Sequence, residues 1–168
     1  ISQLTLKLAQ GSGGRSELAM NFGRLEQINI RELWTHEQYH FSTWLSKEEN
    51  IELLNDTLGL TLTEISTEVF VGSYRCDLVA KDETTGIRVI IENQLEATDH
   101  DHLGKIIAYA SGLDAQVVVW IVKEAREEHR SAIEWLNNKL IKGISFFLLE
   151  IQAYKIGDSL PAPKFEVI

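Results

Sequence analysis

Apolar positions along the chain switch between two periods, and the switches mark out the elements. Residues 1–10, ISQLTLKLAQ, alternate Leu4, Leu6 and Leu8 with Thr5 and Lys7, the period of a half-buried strand, before Gly11-Ser12-Gly13-Gly14 brings in linker composition. Ile51, Leu54 and Leu58 then recur at helical spacing, with Ser46 and Glu49 at capping-box spacing in front of them and Gly59 placed to close the helix. Two β-branched and aromatic runs follow, 64–71 (EISTEVFV) and 74–81 (YRCDLVAK), and a third, IRVIIENQ, begins at Ile87. A second helical stripe, Leu103, Ile106, Ile107, Ala110 and Leu113, starts behind the cap-forming TDHD of 98–101 and stops near Gly112. QVVVWIV (116–122) is apolar almost throughout, as central strands are. Residues 127–140 predict an amphipathic helix with Ala132, Ile133, Leu136 and Leu140 inward, and 144–151 and 164–168 predict outer strands. The order is that of one α/β unit: helix, three-stranded meander, helix, strand, helix, strands.

The turns of the meander set its register. Gly72-Ser73 suits a two-residue type II′ hairpin, so Val71 faces Tyr74, and counting back places Glu68 opposite Asp77. Glu83-Thr84-Thr85-Gly86 reads as a four-residue loop, so Asp82 faces Ile87 and Asp77 falls opposite Glu92. Alternation puts Arg75, Asp77 and Val79 on one face with Arg88, Ile90, Glu92 and Gln94, and gives Cys76, Leu78, Ala80, Val89 and Ile91 to an apolar face. Three carboxylates in one row destabilise a sheet unless a cation or a shared proton neutralises them. That row is the candidate site.

Composition narrows the setting. With 168 residues and 44% hydrophobic content the chain can bury a substantial core, and its one cysteine, Cys76, excludes an internal disulfide. No stretch has the pattern of a signal peptide or a membrane-spanning helix, which makes the cytoplasm the expected location. Met20 is the only methionine; residues 1–19 are expected to be a tag, linker or fused peptide and 20–168 a single domain. Were residues 1–10 a tethered ligand, Leu4, Leu6 and Leu8 would dock on a sheet edge or groove. The formal charge of −9 speaks against a broad electrostatic hold on nucleic acid, leaving Arg75, Arg88 and Lys105 as local positive charge.

Asp77 in RCDLVA, followed after a hairpin by Glu92-Asn93-Gln94, resembles the PD-(D/E)XK nuclease superfamily. The downstream stretch from IIENQLEATDHDHLGK to VVVWIVKEAREEHRSAIEWLN is similar to an uncharacterised bacterial branch of it, and the similarity runs from about Phe22 to the end. The Pro customary before the first acid is replaced by Cys76, and the Lys position is filled by Gln94. The resemblance implies a mixed sheet flanked by helices and Mg²⁺- or Mn²⁺-dependent hydrolysis of DNA. It implies Asp77, Glu92 and the main-chain carbonyl of Asn93 as metal ligands. Glu68 is a further candidate ligand, in competition with Glu48, Glu49 and Glu52 of the first helix.

Gln94 brings hydrogen bonds but no charge to the catalytic position. Lys105 and Tyr109 stand at i and i+4, where RecB-type relatives carry a Gln and a Tyr aimed at the site. Lys105 is therefore the expected partner of the scissile phosphate, with Tyr109, Arg75 and His102 touching substrate. His100 and His102 project roughly 200° apart on a helix and make a poor zinc clasp, and His129 is expected in the core. Trp34, Trp44, Trp120 and Trp135 are expected there too rather than as base-stacking platforms. The competing reading is a module that keeps the fold without turnover and binds nucleic acid or a protein partner; a homodimer would suit cutting of both strands.

Overall fold

The structure, a computed structural model, describes residues 21–140 and 143–168, the side chains of residues 37 and 38 left aside. The strand and linker expected in residues 1–14, and their reading as a fused peptide, lie outside the described residues. The described chain begins with β1 (Leu25–Ile28), the short helix α1 (Ile30–Leu33), a π-turn over Glu37–Phe41, the short helix α2 (Ser42–Leu45) and α3 (Glu48–Leu58). The meander β2 (Leu62–Val71), β3 (Tyr74–Asp82) and β4 (Arg88–Ala97) comes next. It is followed by α4 (His100–Gly112), β5 (Val117–Glu124), α5 (Glu127–Lys139), β6 (Ser145–Ile156) and β7 (Ala162–Val167).

This is the predicted α/β order. All strands join one mixed sheet in the order β1-β6-β5-β4-β3-β2, with β7 also paired to β6. The meander is antiparallel, whereas β4, β5 and β6 run parallel, with α4 and α5 as the crossovers. No helix among the described residues is long and apolar enough to cross a membrane.

Both faces of the central strands are covered, which is why QVVVWIV carries no polar alternation. Leu78, Ala80, Val89, Ile91 and Leu95 pack against Phe41, Leu45, Ile51 and Leu54 from the N-terminal helices. Ile90, Val118 and Trp120 pack against Ile106, Tyr109 and Ala110 of α4 and Ile133 of α5. Cys76, expected beside Leu78 and Ala80, instead joins this second core. The shift falls in the segment of β3 that lies beyond its ladder with β4 and opposite the left-handed Glu68, so strict alternation no longer governs it.

Two local expectations also change. Ser46 does not cap α3: its hydroxyl donates to Thr43 O at 2.8 Å, as the end of α2, and Lys47 stands at the N-cap without a side-chain bond. Gly59 does close α3, in the left-handed conformation. Trp135 is exposed rather than core, because α5 buries only the side of His129 and Ile133. The meander turns as predicted: Gly72 has φ 61° and Ser73 keeps a negative φ, the type II′ signature. At the other end of the same hairpin contact, Gly112 of α4 lies so close to β2 that a Cβ there would sit 2.5 Å from Val71 Cγ1.

Candidate active site

The site begins where the meander stops being regular. From Val71↔Tyr74 to Ser66↔Val79 the β2–β3 ladder follows the predicted count, then slips at a bulge beside Glu64, whose φ is 51°. That count sets Glu68 against Asp77, yet the pair drops out of the ladder between Val69↔Cys76 and Thr67↔Leu78, because Glu68 itself has φ 52°. A left-handed non-glycine costs about 1–2 kcal/mol. Its carboxylate turns to Arg75 at 3.1 Å and lines a side cavity of about 200 Å³ together with Asp77, Tyr39 and Ser42.

Between β3 and β4 the predicted register holds from Lys81↔Arg88 to Leu78↔Ile91, closed by the 83–86 loop with Asp82 N donating to Ile87 O at 2.9 Å. The ladder then ends, and carboxylates take over from carbonyls. Asn93 N donates to Asp77 Oδ2 at 2.8 Å, and Asp77 N donates to Glu92 Oε2 at 3.3 Å. Each acid satisfies a backbone N–H of the other's strand, which a buried amide requires. The exchange holds two carboxylates across the gap, with Glu92 only 5% exposed.

Helix α4 is bolted over this gap by Gln94. Its Nε2 donates to Ala97 O at 2.7 Å and to Asp99 Oδ2 at 2.8 Å, while its Oε1 accepts from Trp120 Nε1 at 3.2 Å. Asp99 is the N-cap: Oδ1 accepts from His102 N at 2.7 Å and lies 2.8 Å from His102 Nδ1. So anchored, α4 turns His102, Lys105 and Tyr109 into a cavity of about 370 Å³ shared with Asp77, Glu92 and Asn93, and Arg75 stands at its rim. Seven of the nine residues singled out in the sequence thus line one cavity. Gln94 and Glu68 do not: Gln94 is spent on holding the helix, and Glu68 faces the neighbouring hollow. Glu48, Glu49 and Glu52 are exposed on α3 and take no part in the lining. A larger cavity of about 660 Å³ elsewhere on the meander, between Lys81, Arg88 and Asp114, holds no facing pair of buried carboxylates.

The charge of the two acids is felt by their neighbours. Burial, and then the negative charges of Glu92 and Asp77, push the Cys76 thiol far up, so it stays protonated. Burial and the charge of Glu92 likewise raise the Tyr109 phenol, leaving a neutral hydroxyl donor at the cavity wall. Lys105 is raised by its bond to Asp101, 2.8 Å away, against the opposing effect of burial, with Glu92 and Asp99 adding to the upward shift; it is a firm cation. Burial alone would raise Asp99, but the bonds from His102 and Gln94 outweigh it and hold this carboxyl below its ordinary range.

The donor set suits a hard divalent cation: two carboxylates beside the main chain of Asn93, with no cysteine in the cavity's lining. Asn93 Nδ2 donates to Ser42 Oγ at 2.9 Å, whereas its Oδ1 is buried without a hydrogen-bond partner, an atom that wants a water or an ion. Next to it, Asp99, Asp101 and His102 bring one ligand atom each within 4.8 Å of one another. This is the one such group of three among the described residues, although its members already serve as N-cap and as partner of Lys105.

Sequence reasoning missed the far wall, which His36 and Tyr74 complete. Tyr74 was legible as the residue just past the hairpin turn, but His36 sits in WTHEQYHF, where a π-turn breaks the helical period, so no register leads to it.

No family model matches the chain, and no curated protein sequence does. Among solved structures it is similar to a repair endonuclease from Pyrococcus abyssi, at 16% identity and a TM-score of 0.45 over 62% of this chain and 47% of that one. It is also similar to Pyrococcus furiosus SfsA in complex with Ca²⁺, at 17% identity and a TM-score of 0.39 over 67% of this chain and 60% of that one. The chain thus spans about half the length of the first and somewhat more of the second.

Proposed function

We propose that this chain is a Mg²⁺- or Mn²⁺-dependent phosphodiesterase of the PD-(D/E)XK type that acts on DNA. The observation that carries the reading is the crossed bonding at the end of the β3–β4 ladder, Asn93 N to the Asp77 carboxylate and Asp77 N to the Glu92 carboxylate, in the cavity that Lys105 also lines. Asp77, Glu92 and the main chain at Asn93 are the ion's holders. A bound divalent ion supplies Lewis acidity and a water of lowered pKa. Lys105, fixed as a cation by Asp101, stands in for the absent motif lysine and meets the scissile phosphate, while the Tyr109 hydroxyl donates to a phosphate oxygen. Arg75 and His102 orient the strand. Gln94 is a positioning residue: it fixes the N-cap of the helix that carries Lys105.

One observation favours a second reading, a binding module without turnover. The motif lysine is replaced by an amide whose donor and acceptor are both consumed within the fold. Titration calorimetry with MgCl₂ tests the first step for both readings: wild type is expected to bind, and Asp77→Ala to lose the heat. Cleavage of plasmid and single-stranded DNA in Mn²⁺, lost in Glu92→Ala, then separates turnover from binding alone. Absence of a magnesium heat in wild type would sink the metal-dependent reading.

A further inference from the structure

On the reading above, the nature of the DNA follows from what surrounds the carboxylates. Among the described residues five aromatic side chains are exposed, Phe22, Tyr39, Phe70, Tyr74 and Trp135; one of them lines the main cavity, one the adjoining hollow, and one stands beside Arg75 of the main cavity. Tyr74 lines the Asp77–Glu92 cavity with 62% of its surface exposed. Tyr39, 69% exposed, lines the adjoining hollow that shares Asp77, and its ring lies 4.7 Å from that of His36, itself in the wall of the main cavity. Phe70, 69% exposed, carries the Arg75 guanidinium 5.7 Å from its ring centroid. Rings left in water around a concave site are surface with a use.

The cations at the same mouth tell the complementary half. Arg75 is matched by Glu68 at 3.1 Å and Lys105 by Asp101 at 2.8 Å. Each positive group arrives with its own carboxylate, on a chain of net charge −9. A duplex offers a protein mainly phosphates, with its base faces stacked away, and is held by neutralising them. This mouth has little uncompensated charge to do so. An unpaired strand offers base faces, and every base can stack on an aromatic ring whatever its identity.

We infer that the substrate is single-stranded DNA, held by base stacking on Tyr39 and Tyr74 with Arg75 over Phe70 as the third contact, and not double-stranded DNA held by its backbone. The test is fluorescence anisotropy on the full chain in CaCl₂, with one mixed-sequence fluorescein-labelled twelve-nucleotide strand, alone and annealed to its complement. The single strand is expected to bind at least about tenfold more tightly. Its affinity is expected to fall only shallowly with salt, with a log–log slope no steeper than about −1.5, as for neutralisation of one or two phosphates. Tyr39→Ala and Tyr74→Ala are each expected to weaken it at least about fivefold, while Tyr39→Phe and Tyr74→Phe, which keep the stacking face, stay within about twofold of wild type. Both tyrosines are exposed, so an unchanged melting temperature certifies the fold of each variant.

Equal or tighter binding of the duplex overturns the inference, and so do alanine variants that bind like wild type. Tighter binding of the same sequence as RNA overturns DNA as the strand. Magnesium calorimetry on the same samples keeps the two readings apart: loss of the magnesium heat strikes the metal-dependent reading, whereas a magnesium heat without strand preference strikes this inference alone.

Discussion

At the closed end of the β3–β4 pair, Asp82 is 2% exposed, and its carboxylate accepts from Thr85 Oγ1 at 2.6 Å and from Thr61 N at 3.0 Å. At the open end, Asp77 and Glu92 face each other across the last rung. Both ends bury acid, but the first satisfies it from its own turn, and the Thr85 hydroxyl and then the Thr61 amide hold Asp82 below the ordinary carboxylate range. The second end sets one carboxylate against another and lets their charge reach Cys76 and Tyr109. The first acid is bonded at the base of a turn; the second pair lines a cavity that Lys105 and Tyr109 share.

Removing one acid from each end is the sharpest way to break this contrast. Asp77→Asn is expected to abolish magnesium binding by calorimetry while the melting temperature changes little, whereas Asp82→Asn lowers the melting temperature by several degrees and leaves magnesium affinity within about twofold. Because the folded pKa of Asp82 is depressed, its contribution to stability is present above the unfolded carboxylate pKa and is lost as the pH falls through the folded value. If both substitutions act alike, the distinction fails.

Gln94→Lys would place a lysine at the position where the proposed PD-(D/E)XK pattern has one. Since Gln94 is 2% exposed and bonded through both ends of its amide, the expected result is a loss of about 2 kcal/mol in denaturant unfolding and no gain in cleavage rate. A faster variant would return Gln94 to the catalytic position.

A milder effect is expected from the pair behind α4, where His100 Nδ1 lies 2.7 Å from His129 Nε2 and His129 is 2% exposed. Burial, and then the charge of His100, lower the folded pKa of His129, so the unfolded chain takes up its proton first. Stability is therefore full above the unfolded histidine pKa and declines as the pH falls toward the folded one. Unfolding curves between pH 7 and pH 5 are expected to carry this slope in wild type and to lose part of it in His129→Gln. Smallest of all, Glu68→Gln breaks only a partly exposed pair with Arg75; stability and magnesium affinity are expected to move by less than about 1 kcal/mol, read by melting and calorimetry. A large loss of magnesium affinity there would restore Glu68 to the ligand set.

The meander was legible because short turns leave few choices. Gly72-Ser73 and the 83–86 loop set the ladder pairs on either side, and from them Asp77 and Glu92 could be aligned without any knowledge of the helices. The stripe in α4 was legible at Ile106 and Ala110, although Ile107 is exposed, and with it the shared direction of Lys105 and Tyr109. What the sequence could not reveal is where regularity fails. Glu68 adopts a left-handed backbone although its neighbours read as ordinary strand, and Ser46 finds a nearer acceptor at the end of α2 than at the start of α3. The role of Gln94 depends on Trp120, 26 residues away and on another strand, so the motif position alone pointed to catalysis when its atoms were already committed to the fold.

The absence of a side chain at Gly112 sets how far apart the working surfaces stand. Where the end of α4 rests on Val71, an added Cβ would sit 2.5 Å from the valine Cγ1, so one methyl group more requires something there to shift. A larger residue there would displace either the Val71 side chain or the helix that carries Lys105 and Tyr109. The seating of the helix that carries two of the cavity's residues thus depends in part on a position that bears no chemistry of its own.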